Sequence, residues 1–96
     1  MIAYIAGKIS GDEKYKTKFD EAEACLRGQG YKVFNPTCLP PDMPYETLMN
    51  IGRAMIAESD TVFFLPDWVS SEGAGRELLA AGDMRKEIVF LEDMHA

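Results

Sequence analysis

The chain has 96 residues, of which 47% are hydrophobic and 27% charged, and it carries a formal net charge of −6. This balance is typical of a globular protein rather than a disordered segment, and the length suits a single domain over residues 1–96. An acidic chain is not expected to bind a nucleic-acid polymer, because such binding needs clustered Lys and Arg. A single nucleotide is not excluded, because backbone amides at a helix N-terminus can hold one phosphate.

Few residues suggest a metal, a cofactor or a membrane. Cys25 and Cys38 have no partner at the spacing of a metal site, and the one histidine, His95, stands alone. We therefore expect two reduced thiols, no metal and no cofactor. The apolar stretch at the N-terminus is too short for a signal peptide or a membrane span, so we expect a cytoplasmic protein. Because a short chain buries little surface, we also expect a homodimer or a larger homo-oligomer.

The predicted elements alternate between strands and helices. Apolar residues at Tyr15, Phe19, Ala22 and Leu26 recur at helical spacing, whereas the unalternating apolar run at 61–65 is typical of a strand covered on both faces. In chain order we predict strands at 2–6, 31–34, 61–65 and 88–91, with helices at 15–28, 45–59 and 72–85 between them. This order predicts a three-layer, doubly wound α/β domain, flavodoxin-like or Rossmann-like, with four parallel strands in the order 2-1-3-4.

A ligand site is expected at one edge of that sheet. Parallel sheets bind ligands at the carboxyl ends of their strands, and here those ends carry the loops 7–14, 35–44 and 66–71. The motif GKISGD starts the first loop, and SEGAGRE follows the third. Pro40, Pro41 and Pro44 keep the second loop irregular, as in a flap over a site. Both motifs are therefore predicted to share one rim.

The SEGAGRE segment is predicted to bind an anion. Ser71 can cap the third helix, and Gly73 and Gly75 stand in its first turn, where glycine costs up to about 1 kcal/mol relative to alanine. Close approach of a ligand to bare backbone would offset that cost. Because free N–H groups and the positive end of the helix dipole favour an anion, we interpret the segment as a phosphate cradle.

Glu77 lies about one turn inside the same helix. We predict a buried stripe through Ala74, Leu78 and Ala81, with Glu77 about 60–70° from its centre at roughly 100° per residue. Glu72 and Arg76 are predicted to pair on the opposite, solvated side. A carboxylate at the margin of a buried face can act as a nucleophile or an electrostatic partner, although it can also be an ordinary solvated glutamate.

Taken together, these motifs resemble the nucleoside 2-deoxyribosyltransferase superfamily. The chain is similar above all to the 2′-deoxynucleoside 5′-monophosphate N-glycosidases and to the small bacterial and phage domains grouped with them. The residues that carry the resemblance are YIAGKISG from Tyr4, GYKV from Gly30, the pair Asn35 and Pro36, Asp60, Trp68, and SEGAGRE from Ser71.

The resemblance implies a role for each matched residue. Glu77 would attack the anomeric carbon of the sugar and form a covalent glycosyl-enzyme, with Tyr4 near it as a second catalytic residue. Water would then release the sugar in a hydrolase, and a second base would do so in a transferase. The substrate-binding residues are then predicted to be Gly7, Lys8, Ile9, Ser10, Gly11, Ser71, Gly73, Gly75 and Trp68.

One residue departs from the family's pattern. The family usually has an aspartate on the second helix, eight residues before the position of Asp60, and this chain has Gly52 there. Asn50, Asp42 or a residue of a neighbouring subunit could substitute for that acid. Two functions follow: an N-glycosidase or deoxyribosyltransferase-like enzyme acting on a nucleoside monophosphate, or a non-catalytic nucleotide-binding module. A plain interaction domain is a third reading.

Other residues have alternative readings. Trp68 is either a hydrophobic lid on the sheet edge or a stacking partner for a base, and Lys8 is either an exposed lysine or a phosphate partner. Asp60 is expected to have a structural role at the amino end of its strand. Lys14, Lys16 and Lys18 are expected to form a solvated helix face.

Overall fold

A computed structural model describes residues 1–92 of the chain, so His95 lies outside the described residues. The described part has four strands, three α-helices and two short 3₁₀ turns. Their bounds are β1 Ile2–Ala6, α1 Tyr15–Gly28, β2 Lys32–Phe34, a turn at Pro36–Cys38, α2 Tyr45–Ala57, β3 Thr61–Phe64, a turn at Pro66–Ser70, α3 Glu72–Asp83 and β4 Glu87–Phe90.

The four strands form one parallel sheet in the order β2-β1-β3-β4. Strand β1 pairs with β2 on one side and with β3 on the other, where Tyr4 lies opposite Val62. Strand β4 continues the sheet beyond β3. The predicted fold class and strand order are therefore confirmed, and the carboxyl ends of all four strands lie at one edge.

The two faces of the sheet bury two separate sets of side chains. Alternate strand residues, such as Ala3 and Ile5, pack with Phe19, Ala22 and Leu26 of α1 on one face. Tyr4, Ala6 and their neighbours pack with side chains of α2 and α3 on the other face. Because successive strand residues point to opposite faces, both faces of an apolar strand need a covering layer, which gives the three layers.

On α2, the buried face runs through Met49, Gly52 and Ile56. One detail of the helices differs from the sequence prediction. Lys18 was expected on a solvated face, but its ammonium pairs with Asp12 and Asp67. Within residues 1–92, no helix is both long and apolar enough to cross a lipid bilayer.

Asp60 has the structural role that its position suggested. Its Oδ2 accepts a hydrogen bond of 2.8 Å from the backbone N–H of Ile2, at the amino end of the sheet. We expect Asp60→Ala to lower the free energy of unfolding by about 1 kcal/mol, the usual worth of one such bond. Asp60→Asn keeps an acceptor and should cost less. Urea denaturation of both variants measures the effect, and equal losses would contradict it.

Candidate active site

A cavity of about 250 Å³ opens at the carboxyl edge of the sheet. Its lining comes from β1, the loop after β1, the flap after β2, and the facing sides of α2 and α3. Residues that line the cavity include Tyr4, Gly7, Lys8, Ile9, Ser10, Tyr15, Phe19, Pro40, Pro41, Tyr45, Met49, Ser71, Glu72, Gly73 and Glu77. Residues of both sequence motifs thus line one cavity.

Glu77 is more deeply buried than its sequence position suggested. Its side chain is 8% exposed, and the buried face of α3 runs through Ala74, Glu77, Ala80 and Ala81. Leu78, which was predicted in the buried stripe, is half-buried and packs against the core, and Glu77 lies on the buried face beside it. The reason is that α3 lies against both the sheet and α2, so its contact face is turned toward the cavity.

The carboxyl group of Glu77 is bonded to Tyr4. The Tyr4 hydroxyl donates a hydrogen bond of 2.5 Å to Glu77 Oε2, and both groups are buried. Among residues 1–92, Tyr4 is the residue whose side chain donates a hydrogen bond to the Glu77 carboxyl group, and it does so to Oε2. The other oxygen, Oε1, is therefore available to a ligand. Tyr4 therefore orients the carboxyl group and leaves one of its oxygens toward the cavity.

Burial controls the charge of this pair. Burial raises the pKa of Glu77 to about 7, and the hydrogen bond from Tyr4 offsets only part of that rise. Burial and the neighbouring Glu77 raise the pKa of Tyr4 well above its usual value, so Tyr4 stays protonated and remains a donor. Near neutral pH, Glu77 thus exists as a mixture of acid and carboxylate, which is typical of residues at reactive sites.

Gly52 lies directly against this pair. A Cβ added to Gly52 would stand 2.8 Å from Glu77 Oε2 and 3.1 Å from the Tyr4 hydroxyl. The first distance is shorter than side chains tolerate, so the backbone of α2 closes this side of the carboxyl group. The two residues of this chain considered as replacements for the missing aspartate, Asn50 and Asp42, are exposed and outside the cavity lining.

The amino terminus of α3 forms one end of the cavity. Ser71 Oγ accepts a hydrogen bond of 3.1 Å from the N–H of Ala74, which caps the helix. The Ser71 hydroxyl keeps its own proton to donate, and the N–H groups of Glu72 and Gly73 have no partner within the helix. Three donors at the positive end of a helix dipole are therefore available to an anion.

The first loop forms the facing wall. Gly7 must be glycine for packing, because a Cβ there would lie 2.7 Å from Leu65 Cδ1. Lys8, Ile9 and Ser10 follow it along the cavity, and Lys8 is in no ion pair with any residue from 1 to 92. Gly11 lies outside the lining, and its φ of +82° explains a glycine at that turn.

An ion-pair cluster ties this loop to the loop after β3. The Lys18 ammonium lies between the carboxylates of Asp12 and Asp67. Asp67 Oδ1 also accepts a hydrogen bond of 3.1 Å from the N–H of Lys8. This cluster could not be predicted from local sequence pattern, because Asp67 is far from Asp12 and Lys18 in the chain and all three are residue types common on protein surfaces.

Two further predicted binding residues lie outside the lining. The Trp68 ring packs against Phe64 and Phe90, at centroid distances of 5.8 and 5.3 Å, which matches its alternative reading as a hydrophobic lid. A Cβ on Gly75 would meet nothing within 4 Å, so no close approach explains that glycine. Trp68 thus packs on β3 and β4, and Gly75 lies on a side of α3 that does not line the cavity.

Aromatic residues of the wall were not predicted to bind a ligand: Phe19 and Tyr15 of α1 and Tyr45 of α2 line the cavity together with Met49. Of the prolines predicted to form a flap, Pro40 and Pro41 line it and Pro44 does not. The predicted pairing of Arg76 with Glu72 was wrong, because Arg76 instead forms hydrogen bonds of 2.8 and 3.2 Å with Glu46 of α2. The guanidinium also lies 5.5 Å from the centre of the Tyr45 ring. These contacts hold Tyr45 at the mouth.

The model of one protein family, a domain of unknown function (DUF4406), matches residues 1–90. No curated protein sequence matches the chain. Among solved structures, a 2-deoxyribosyltransferase from Bacillus psychrosaccharolyticus is similar, with a TM-score of 0.74 and 21% identity over 94% of this chain and 71% of that one. A CMP N-glycosidase from Clostridium botulinum is also similar, with a TM-score of 0.70 and 21% identity over 94% of this chain and 67% of that one.

A 2-deoxyribosyltransferase from Leishmania mexicana gives a TM-score of 0.75 and 18% identity, over 94% of this chain and 63% of that one. At these identities the likeness shows a shared fold, and the expected resemblance to the nucleoside 2-deoxyribosyltransferase superfamily is confirmed at that level. This chain spans only about two thirds of the length of those proteins.

The pKa of Glu77 makes a prediction about stability. Because the folded-state pKa is about 7 and the usual value is 4.5, the folded protein loses stability as pH rises from below 4.5 through 7. A shift of this size corresponds to roughly 3 kcal/mol at high pH. Glu77→Gln keeps the size of the side chain and an acceptor for Tyr4, without a charge. We expect it to be more stable than the natural protein at pH 8 by roughly 2–3 kcal/mol.

At pH 5 the same difference should fall to about 1 kcal/mol or less, because Glu77 is then protonated in the folded state and pH 5 is only just above its usual pKa of 4.5 in the unfolded chain. Chemical denaturation of both proteins at pH 5 and pH 8 measures it. A difference that is the same at both values would show that Glu77 keeps an ordinary pKa.

Proposed function

We propose that this chain, which belongs to the DUF4406 family, is an N-glycosidase acting on a (deoxy)nucleoside 5′-monophosphate. The observation that carries the proposal is the buried Glu77 carboxyl group in a cavity whose other end is the amino terminus of α3. One end of the cavity thus offers a nucleophile and the other an anion site, which suits a sugar with a base at C1′ and a phosphate at C5′.

The proposed reaction proceeds in two displacements at C1′. Oε1 of Glu77 attacks C1′, and the bond between C1′ and the base nitrogen breaks with its electron pair going to the base. Water then attacks C1′ of the glycosyl ester, releasing the sugar phosphate, a proton and free Glu77. A carboxylate stabilises the positive charge that builds on the sugar in both steps, as in retaining glycosidases.

Binding of the 5′-phosphate orients the substrate in the cavity. The Ser71 hydroxyl, the N–H of Gly73 and the Lys8 ammonium can all donate to it, and Lys8 lines the facing wall. An anchor at C5′ fixes the sugar without touching the reacting bond. Hydrolysis is favoured over transfer to a second base because these donors suit a phosphate better than a free base. Two of the structural neighbours are 2-deoxyribosyltransferases and one is a CMP N-glycosidase, which is compatible with the proposal.

A second candidate function is favoured by Gly52. A non-catalytic module that binds a nucleotide would use the same cavity and would need no acid beside Glu77. The two candidates differ in whether base is released. The homodimer that we expect from chain length, and the cytoplasmic location, stay predictions in either case.

Release of base from nucleoside 5′-monophosphates tests the enzymatic proposal. We expect free base with the natural protein and at least about 100-fold less with Glu77→Ala or Glu77→Gln, because each removes the nucleophile. Because the ionised carboxylate attacks, kcat/KM should rise with pH through about 7, the pKa of Glu77. Chromatography of the products between pH 5 and pH 9 measures both effects.

The contrary outcomes are distinct. Nucleotide-dependent thermal stabilisation without release of any base would support the binding module. If neither response occurs with any nucleotide, the cavity is not a nucleotide site.

A matched pair of glycine substitutions tests the anion site. A Cβ on Gly73 would stand 3.5 Å from the Tyr45 hydroxyl and 3.6 Å from Met49 Sδ, so alanine fits there but its methyl group enters the cavity. Gly75→Ala adds a methyl group that touches nothing within 4 Å. Both should stabilise α3, by up to about 1 kcal/mol.

Only Gly73→Ala should weaken binding of a nucleoside monophosphate, roughly tenfold, which is the loss of about one hydrogen bond. Calorimetric titration of both variants measures it. Equal affinity for the two variants would place the phosphate elsewhere.

A further inference from the structure

The departure of the base is the step for which this cavity is least equipped. A neutral base leaves as an anion unless a proton reaches it, so N-glycosidases normally position an acid beside it. Of the carboxylic acids in the described lining, Glu77 is the nucleophile, and Tyr4 already donates its proton to it. Lys8 is assigned to the phosphate, and the Tyr45 hydroxyl lies beside Gly73 at the anion end. Glu72 lies five residues before Glu77, roughly 7.5 Å along the axis of α3 and at the anion end.

A side chain at Gly52, which faces the nucleophile from α2, would displace the Glu77 carboxyl group from its present position. An added Cβ at Gly52 would meet Glu77 Oε2 at 2.8 Å and the Tyr4 hydroxyl at 3.1 Å. The space that an acidic side chain would need is therefore filled by the Tyr4–Glu77 pair itself. The glycine is a packing requirement of that pair.

We infer that the preferred substrates of this site are nucleotides whose base already carries a positive charge on the ring joined to the sugar, as in a pyridinium nucleotide. This inference rests on the proposed function and names the substrate class within it. When Glu77 Oε1 bonds to C1′, the electron pair of the breaking bond neutralises the ring nitrogen. The base then leaves as a neutral molecule and needs no proton.

The cavity is also suited to bind such a ring. Glu77 is an acidic residue at the end of the cavity where the base would leave, whereas Lys8, the basic residue of the described lining, is assigned to the phosphate. The rings of Phe19 and Tyr15 of α1 also line the cavity, and aromatic faces attract a cationic ring. A positive charge beside Glu77 would in addition favour its ionised, nucleophilic form. One ligand feature would thus serve binding, ionisation of the nucleophile and departure of the base.

The comparison of charged and uncharged bases of nearly equal shape tests this. Nicotinamide mononucleotide carries a permanent charge on its pyridinium ring, and its reduced dihydropyridine form is neutral. Guanosine monophosphate with and without an N7-methyl group gives a second such pair. Free base would be measured with the natural protein at pH 8, after subtraction of spontaneous hydrolysis and with Glu77→Gln as control.

We expect kcat/KM to be at least about 100-fold higher for the charged member of a pair, since a missing general acid costs about that factor. Hydrolysis of the neutral members, or of cytidine and thymidine monophosphates, at equal or higher kcat/KM would overturn the inference and leave the proposed function standing. Release of base from none of these substrates would overturn both.

Discussion

The buried hydrogen bond between Tyr4 and Glu77 determines how the rest of the site is built. It joins the central region of the sheet to α3 and places a carboxyl group where water reaches only one side. Taking a carboxylate out of water is costly, and the Tyr4 hydroxyl provides one polar contact in return. The remaining cost appears as a raised pKa for Glu77. That pKa matters for function, because a carboxyl group that changes charge near pH 7 can be both stable in the fold and reactive in the cavity.

Much of the fold could be predicted from local pattern. The apolar runs of β1 and β3 and the helical spacing from Tyr15 to Leu26 each determine an element, and alternation of strands and helices then leaves few topologies. Element ends were less predictable. Strand β2 begins at Lys32 and α3 ends at Asp83, a residue or two from the predicted bounds, because helix and strand ends depend on single hydrogen bonds.

The site could be predicted only in part. Glycines, a capping serine and a glutamate in one short segment have a local signature, and Ser71, Gly73 and Glu77 do lie at the cavity. Contacts between distant segments have no such signature. Nothing near Lys18 in the sequence indicates its pairing with Asp67, and Arg76 has an acidic residue at helical spacing yet pairs with Glu46 on another helix. Trp68 was predicted at the site but packs on the neighbouring strands, because the sequence does not show which way an aromatic residue in a loop beside a site will face.

The tight contact at Gly52 has a consequence for how sequences of this kind can change. A single replacement of Gly52 by an acidic residue would push against the Glu77 carboxyl group before any new side chain could act on a ligand. The Glu77 carboxyl group would have to move away from the new Cβ, and its hydrogen bond with the Tyr4 hydroxyl would have to re-form in another geometry. An acid regained at this position would therefore first change the orientation of the nucleophile beside it.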